Sequence, residues 1–444
     1  MVAAFLALVP YLSGSAHFDC SVHGVGFATG DPDGKFSKPK VGDEYYWISV
    51  QYEIRGEAAR PFKIRFEMAD LTSVLDVKEP SSLEPDKIYT RSIGFRCPAD
   101  GPITARVAID PDGTSGDPNR ADKTSELKFT PAPPSNAIEY YNARRLKASI
   151  SANVDAGQKA PLLVHVFEGM PTTEGSQTVV DLASAPGTKT VRLPPFDAPF
   201  FDYRLVKPPA TFGIRHEFSI TASSVKVNRR LMDAVTWDEV DKSRDSHALY
   251  LAPERTVQSD DPSVSSFVAS VLPADYRAQL SPAEAVRTLF LAVAKNLRYD
   301  KSIGRPEDAA GTLARRSAAC GGMSALFTAC TRSIGVPARV ISGWLEHPLE
   351  TNEGHAWTEF YLPRIGWIPA DVTFCNGLHP KGDTTYFFGN IPDLNARCIS
   401  NRAATAVFPG EDGPSMASMA VFRSFGWSGS LPAVTFKLSL EPLK

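Results

Sequence analysis

Two hydrophobic periodicities divide the chain near residue 250. Before that point apolar and polar residues alternate in short runs. Tyr45-Tyr46-Trp47-Ile48-Ser49-Val50-Gln51-Tyr52 is rich in aromatic and β-branched residues, and Lys63–Met68 and Ile103–Ile109 alternate as half-buried strands do. Turn clusters such as Asp31-Pro32-Asp33-Gly34 and Asp110-Pro111-Asp112-Gly113 separate them. Leu146–Val154 and Phe212–Ile220 repeat the alternation. After residue 250 the period changes to that of a helix. Ser281-Pro282-Ala283-Glu284 is a capping box with Pro at the first helical position, and Val286, Leu289, Phe290, Val293 and Leu297 fall on one face behind it. A second helix is predicted from Cys320, with Met323, Leu326, Phe327, Cys330 and Ile334 on one face, ending at Gly335 with Pro337 beyond. Apolar strands follow at 338–344, 356–362 and 366–370.

This pattern predicts an α+β protein. Strands spaced as they are over 17–131 suggest an immunoglobulin-like β-sandwich. Pro131-Ala132-Pro133-Pro134-Ser135 is a stiff linker. A second β-rich domain is expected over 136–245, a core of helices and strands over 246–410 and a strand-containing extension over 411–444. The first 16 residues, an apolar run closing on Ser13-Gly14-Ser15-Ala16, read either as the remnant of a secretory signal or as a first strand. The signal reading implies a secreted, periplasmic or cell-surface protein. No run of about 18 unbroken apolar residues occurs, so no membrane span is expected.

With a net charge of -3 over 444 residues, the chain lacks the basic excess of a nucleic-acid binder. The eight His residues show no Glu-x-x-His or His-x-x-x-His spacing and no Cys-x-x-Cys occurs, so neither a metal nor another cofactor is expected. The Asp-rich turn at 110–122 has Ser115 where a calcium loop needs Gly and Ala121 where it needs Glu, which favours a polar turn. There are six cysteines. Cys330 shares the buried face of its helix, and Cys320 has chemistry of its own. The remaining four suit two disulfides, Cys20–Cys97 and Cys375–Cys398, or else four buried thiols.

Cys320 ends a loop and opens a helix in Ala318-Ala319-Cys320-Gly321-Gly322. The positive end of the helix dipole favours thiolate there, the first-turn amides suit a developing oxyanion, and the glycines let other atoms approach the sulfur. A thiolate needs a base that accepts and returns the proton, and His355, at the start of an apolar strand, suits that role. A carboxylate must then hold the ring's tautomer, and Asp371 ends the next strand, where a hairpin near Pro363-Arg364 would bring it beside His355. Each residue alone is more often structural; a helix and two successive strands carrying all three are far more specific.

In this order and context the chain resembles the transglutaminase-like superfamily over about residues 246–400. Arg332-Ser333-Ile334-Gly335-Val336-Pro337-Ala338-Arg339 repeats its Gly-x-Pro-x-Arg pattern, and Ser342-Gly343-Trp344, His355-Ala356-Trp357 and Gly366-Trp367…Asp371 repeat further elements. Arg298-Tyr299-Asp300 resembles the end of the preceding helix, and Tyr386-Phe387-Phe388-Gly389 the aromatic segment that closes the core. The resemblance implies a papain-like, transglutaminase-like catalytic core with Cys320, His355 and Asp371 as its triad. It also implies oxyanion or substrate-positioning roles for Tyr299, Gly321 and Trp357, with Trp357 and Trp367 packed under the triad. Val372 departs from the family's Pro after the Asp; a strand-compatible residue there is expected to leave the carboxylate in place.

The implied activity is thiol-dependent acyl transfer on a peptide or carboxamide bond through a Cys thioester. Water as acceptor makes a peptidase or amidase, and an amine makes a protein cross-linker. The partner is then a protein or peptide substrate, with surface or glycan contact open to the N-terminal sandwich. The competing reading is a non-catalytic adhesion or polysaccharide-binding protein with a relic core, which a thiol-trapping probe would separate from an enzyme.

Overall fold

The computed structural model describes residues 19–28, 46–55, 62–68, 71–77, 84, 87–95, 103–114, 123–129, 136–155, 163–303, 308–346, 354–375, 385–408, 415–418, 423–428 and 433–443. Residues 1–16 and Cys97 lie outside these, as does the side chain of Cys20. The expected Cys20–Cys97 bond and the signal remnant therefore lie outside the described residues. The chain divides into two compact units, 1–133 and 134–444.

The first unit holds two antiparallel sheets. One has the order Asp19–Ala28, Tyr46–Arg55, Ile88–Phe95, and the other Leu71–Val77, Phe62–Met68, Ile103–Ile109, Thr124–Phe129. Alternate residues of facing strands make one core: Ile48, Val50, Tyr52 and Ile54 meet Phe62, Ile64, Phe66, Ala105, Val107 and Ile109. At the Asp-rich turn, Asp110 accepts from the Thr114 amide at 2.7 Å and pairs with the buried Lys123 at 3.4 Å.

Among the described residues the second unit contains a five-stranded and a four-stranded antiparallel sheet, the fifth strand of the former being Asn390–Ile391 paired with Thr211–Val227, together with a core of helices on a further sheet. Gln177–Ala183, Thr211–Val227, Ile138–Asp155 and Ala433–Pro442 form one sheet; Lys189–Leu193, Ala198–Val206, Leu163–Gly169 and Arg423–Ser428 form the other. Residues 411–444 thus supply a strand to each sheet. The core sheet is Gly366–Ala370, Gly354–Leu362, Ala338–Leu345, Arg397–Asn401, again antiparallel. Leu146, Ile150, Phe218 and Ile220 of the long-strand sheet share one hydrophobic cluster with Trp344 and Cys398 of the core sheet. Among the described residues no helix is long and apolar enough to cross a membrane.

The predicted helices form where their caps lie. Ser281 accepts from the Glu284 amide while Glu284 accepts from the Ser281 amide at 2.8 Å, and helix Pro282–Asn296 follows. Its Phe290 packs edge-on against Phe327 of helix Cys320–Ser333, with ring centroids 5.4 Å apart. That second helix lies on the core sheet through polar as well as apolar contacts. Ser324 donates to the Ala356 carbonyl at 3.0 Å, and the Thr328 and Thr358 hydroxyls meet at 3.0 Å. Such buried, directional bonds fix the helix's position along the sheet more tightly than apolar packing alone.

The expected Cys375–Cys398 disulfide does not form; both residues are buried thiols. The cause is strand alternation. Arg397 turns to Asp371, so Cys398 turns the other way, into the cluster with Trp344 and Phe218. Cys375 ends the short helix Val372–Cys375, which packs on the two long helices.

Gly343 lies opposite His355 on one side and Ile399 on the other. A Cβ built there falls 2.0 Å from the Cys398 carbonyl oxygen. Gly343→Ala must therefore push the Arg397–Asn401 strand aside, and a loss of about 1–3 kcal/mol or more is expected from its urea midpoint. An unchanged midpoint would show that the strand yields freely.

Candidate active site

Three elements meet at Cys320. The thiol stands at the first residue of its helix and is 7% exposed. His355 is the second residue of its strand, and Asp371 follows the last residue of the neighbouring one. The hairpin between them turns on Arg364 and Gly366, both at positive φ (67° and 102°). It pairs Thr358 with Ala370, which leaves Asp371 alongside the His355 end of the sheet. His355 Nε2 lies 2.8 Å from Asp371 Oδ2, with both side chains buried. With Nε2 on the carboxylate, Nδ1 is the ring nitrogen left for sulfur, and the Cys320 thiol is hydrogen-bonded to His355. The three residues expected from the sequence are thus brought together.

Two further residues complete the cluster and went unnoticed in the sequence. Arg397 is fully buried and donates from Nη1 to the same Asp371 Oδ2 at 2.7 Å. Its Nη2 and Nε hold Asp393. Its guanidinium lies 5.1 Å from the Trp357 ring and 4.9 Å from the Phe374 ring. Phe374 in turn stacks on His355, centroids 4.9 Å apart and 16° between planes, and its amide donates to Asp371 Oδ1 at 3.3 Å. A charged residue inside the apolar stretch from Ala396 to Ile399 is the signal that could have exposed Arg397. Nothing local marks Phe374.

Trp357 is fully buried and stacks on His355 at 5.9 Å, so it shields the ring rather than reaching substrate. Trp367 does not underlie the triad. It packs against Arg339, 4.1 Å from its ring, and Tyr250, because Arg339 is drawn to that end of the sheet by Glu359 and Glu174. A cavity of about 200 Å³ lined in part by Arg339, Glu359, Trp367 and Arg402 opens there, away from Cys320. Tyr299 pairs in parallel with Ala318, two residues before Cys320, and is 43% exposed, while Gly321 follows Cys320 in the first turn. Val372 begins a short helix instead of continuing a strand, and the carboxylate before it keeps its bonds. Phe387 closes the site, its carbonyl accepting from the Asp371 amide at 3.0 Å and its ring 5.6 Å from Phe374.

The sequence profile of the transglutaminase-like superfamily matches residues 272–372, which span Cys320, His355 and Asp371. This segment is a transglutaminase-like domain. No curated protein matches the chain. Among solved structures, a proposed cysteine protease from Cytophaga hutchinsonii is similar at 16% identity over 69% of this chain and 93% of its own, with a TM-score of 0.50, which shows a shared fold. A proposed protease from Parabacteroides distasonis covers 79% of this chain and 66% of its own at 11% identity and a TM-score of 0.21. The CARDB domain of a Pyrococcus furiosus protein, solved with di-metal ions, covers 28% of this chain and 100% of its own at 10% identity and a TM-score of 0.22.

Within the transglutaminase-like domain, charge and burial oppose one another. Burial pulls the His355 pKa down, but the Asp371 charge, its hydrogen bond and the Cys320 thiol raise it to about 9. Burial favours a neutral Asp371, yet His355 and Arg397 outweigh it and hold the carboxyl well below the usual range. Burial pushes the Cys330 thiol far up with no charge to offset it, so that thiol is a core group. Among the described residues no group of three or more His, Cys, Asp or Glu could hold a metal.

These shifts set the pH dependence of stability. The raised His355 stabilises the fold fully below about pH 6.5, its unfolded value, and that contribution is lost as pH rises through about 9. The depressed Asp371 contributes above about pH 4, its unfolded value, and that part is lost as pH falls below it. Melting temperature should therefore decline between neutral pH and pH 9.5, and Asp371→Asn should flatten that decline by removing the charge that keeps the proton on His355. A decline of the same slope in Asp371→Asn would contradict the assignment.

Proposed function

We propose that this protein is a cysteine-dependent acyl-transfer enzyme that cleaves peptide or carboxamide bonds, with Cys320 as nucleophile, His355 as general base and acid, and Asp371 as the orienting anion. The observation that carries the reading is the His355–Asp371 bond of 2.8 Å in a buried site, with the Cys320 thiol bonded to the same imidazole. A ring that keeps its proton to about pH 9 is the counterpart a thiolate requires. Sulfur attacks the carbonyl carbon, and the tetrahedral oxyanion forms near the first-turn amides of the Cys320 helix and the side of Tyr299. His355 then gives its proton to the leaving amine, and a thioester remains. Water, activated by the now neutral imidazole, releases the acid; an amine in its place would yield a cross-link. The buried Trp357 and Arg397, with the half-buried Phe374 stacked on the ring, keep solvent from the His–Asp bond, which supports a long-lived imidazolium.

The hydrolytic branch is the one we favour, and the description of the Cytophaga protein as a proposed cysteine protease accords with it. Export to the periplasm, surface or medium belongs to the same reading, supported by the apolar run and small residues of 1–16. The N-terminal unit would then serve contact with a surface, a glycan or the substrate protein.

Iodoacetamide at mildly acidic pH should modify Cys320 well before Cys330, and His355→Ala should slow that labelling, as read by mass spectrometry of the peptides. Incubation with casein, with and without a fluorescent primary amine, separates the branches: new N-termini mark hydrolysis, and amine incorporation marks cross-linking. Cys320→Ala should abolish either product, and Asp371→Asn should lower turnover by roughly 10⁴-fold with the fold intact. Product formation undiminished in Cys320→Ala would defeat the proposal.

A further inference from the structure

Arg397 invites attention because a fully buried guanidinium beside a catalytic-type carboxylate is costly unless something requires it. It shares Oδ2 of Asp371 with His355, so one oxygen accepts from both an imidazole and a guanidinium, at 2.8 and 2.7 Å. The other oxygen takes the Phe374 amide. The carboxylate thus has no freedom to rotate away from the ring. On its far side Arg397 is gripped by Asp393, whose side chain is 41% exposed. Trp357 and Phe374, which both stack on His355, also lie beside the guanidinium. The charged and titratable groups around His355 therefore form one line: Cys320 on the helix, His355 on its strand, Asp371 after the next, Arg397 on the opposite edge strand and Asp393 before it.

We infer that Arg397 is a positioning residue of the candidate active site: it locks the Asp371 carboxylate against His355, and its charge limits how strongly that carboxylate holds the imidazolium. Asp371 alone, buried and anionic, would hold the proton so firmly that His355 could not pass it to a leaving group. A cation on the same oxygen draws off part of that field, and Asp393 moderates the cation from behind. The ionisation of the Cys320–His355 pair is then set by a chain of alternating charges whose last member, Asp393, reaches solvent.

This inference rests on the reading of Cys320 as nucleophile, and the experiment separates the two. The rate of Cys320 alkylation by iodoacetamide is measured from pH 3.5 to 10 in the full chain, with Cys330 as internal reference. A coupled thiol–imidazole pair shows two steps in that profile. In Arg397→Gln the loss of a cation leaves the anion uncompensated, so both steps should move up, by about 1 pH unit. In Asp393→Asn the cation is less compensated, so both should move down, by less because that group is half exposed. Arg397→Lys keeps the charge and should return the steps to near their original positions. Circular dichroism melts identify any variant that fails to fold; Asp393→Asn, at the exposed end of the chain of charges, carries the test if Arg397→Gln does. Steps that stay in place in the folded variants, or that move the same way in Arg397→Gln and Asp393→Asn, overturn the inference while leaving the nucleophile reading standing. A wild-type protein whose Cys320 labels no faster than Cys330 overturns both.

Discussion

The buried carboxylate of Asp371 is the constraint on which the site depends. A charge removed from water survives only where other groups replace the hydration it has lost. Here the replacement comes from three elements: His355 on its strand, Arg397 on the far edge strand and the Phe374 amide in the short helix that follows. The same bonds draw those elements together. Satisfying one anion therefore also orients the imidazole and ties the ends of the core sheet to each other.

The long-strand sheet contributes by closing the core from the side of Trp344. Its apolar residues share a cluster with Trp344 and Cys398, and Trp344 donates to the Ser439 carbonyl at 3.0 Å. Gln177 holds the backbone of Ile399 through both ends of its amide, at 2.9 and 2.8 Å. The strand that carries Arg397 is thus fixed from outside the transglutaminase-like segment proper. A second charge cluster, the buried Arg339 with Glu359 and the more exposed Glu174, anchors the opposite end of the core sheet. Both clusters are arranged so that cations and anions alternate, which is how a low-dielectric interior tolerates them.

How much was legible in the sequence follows from the range of each cause. The helices at 282 and 320 were legible because a capping box, a terminal Gly and a 3.6-residue stripe are local. Cys320, His355 and Asp371 were legible because each sits at an element's end, and the elements are consecutive and joined by short connections. That Cys375 and Cys398 stay apart was not legible, since proximity in sequence says nothing of which way a strand residue points. The place of Trp367 was hidden for a similar reason. Its place depends on Arg339, itself held by Glu174 from a distant turn.

The sequence by itself determined the α+β class, the helix that presents a cysteine at its N-terminus and the two strands that carry an imidazole and a carboxylate, because those features rest on periodicity and neighbours within one hairpin. Only the tertiary structure decided that the strands at 423–428 and 433–442 complete sheets begun at residues 163 and 138, and that Arg397 meets Asp371 across 25 intervening positions. Burial made those choices. A long-range partner is selected by the charge or apolar surface that must be covered, and that demand exists only once the chain has folded around it.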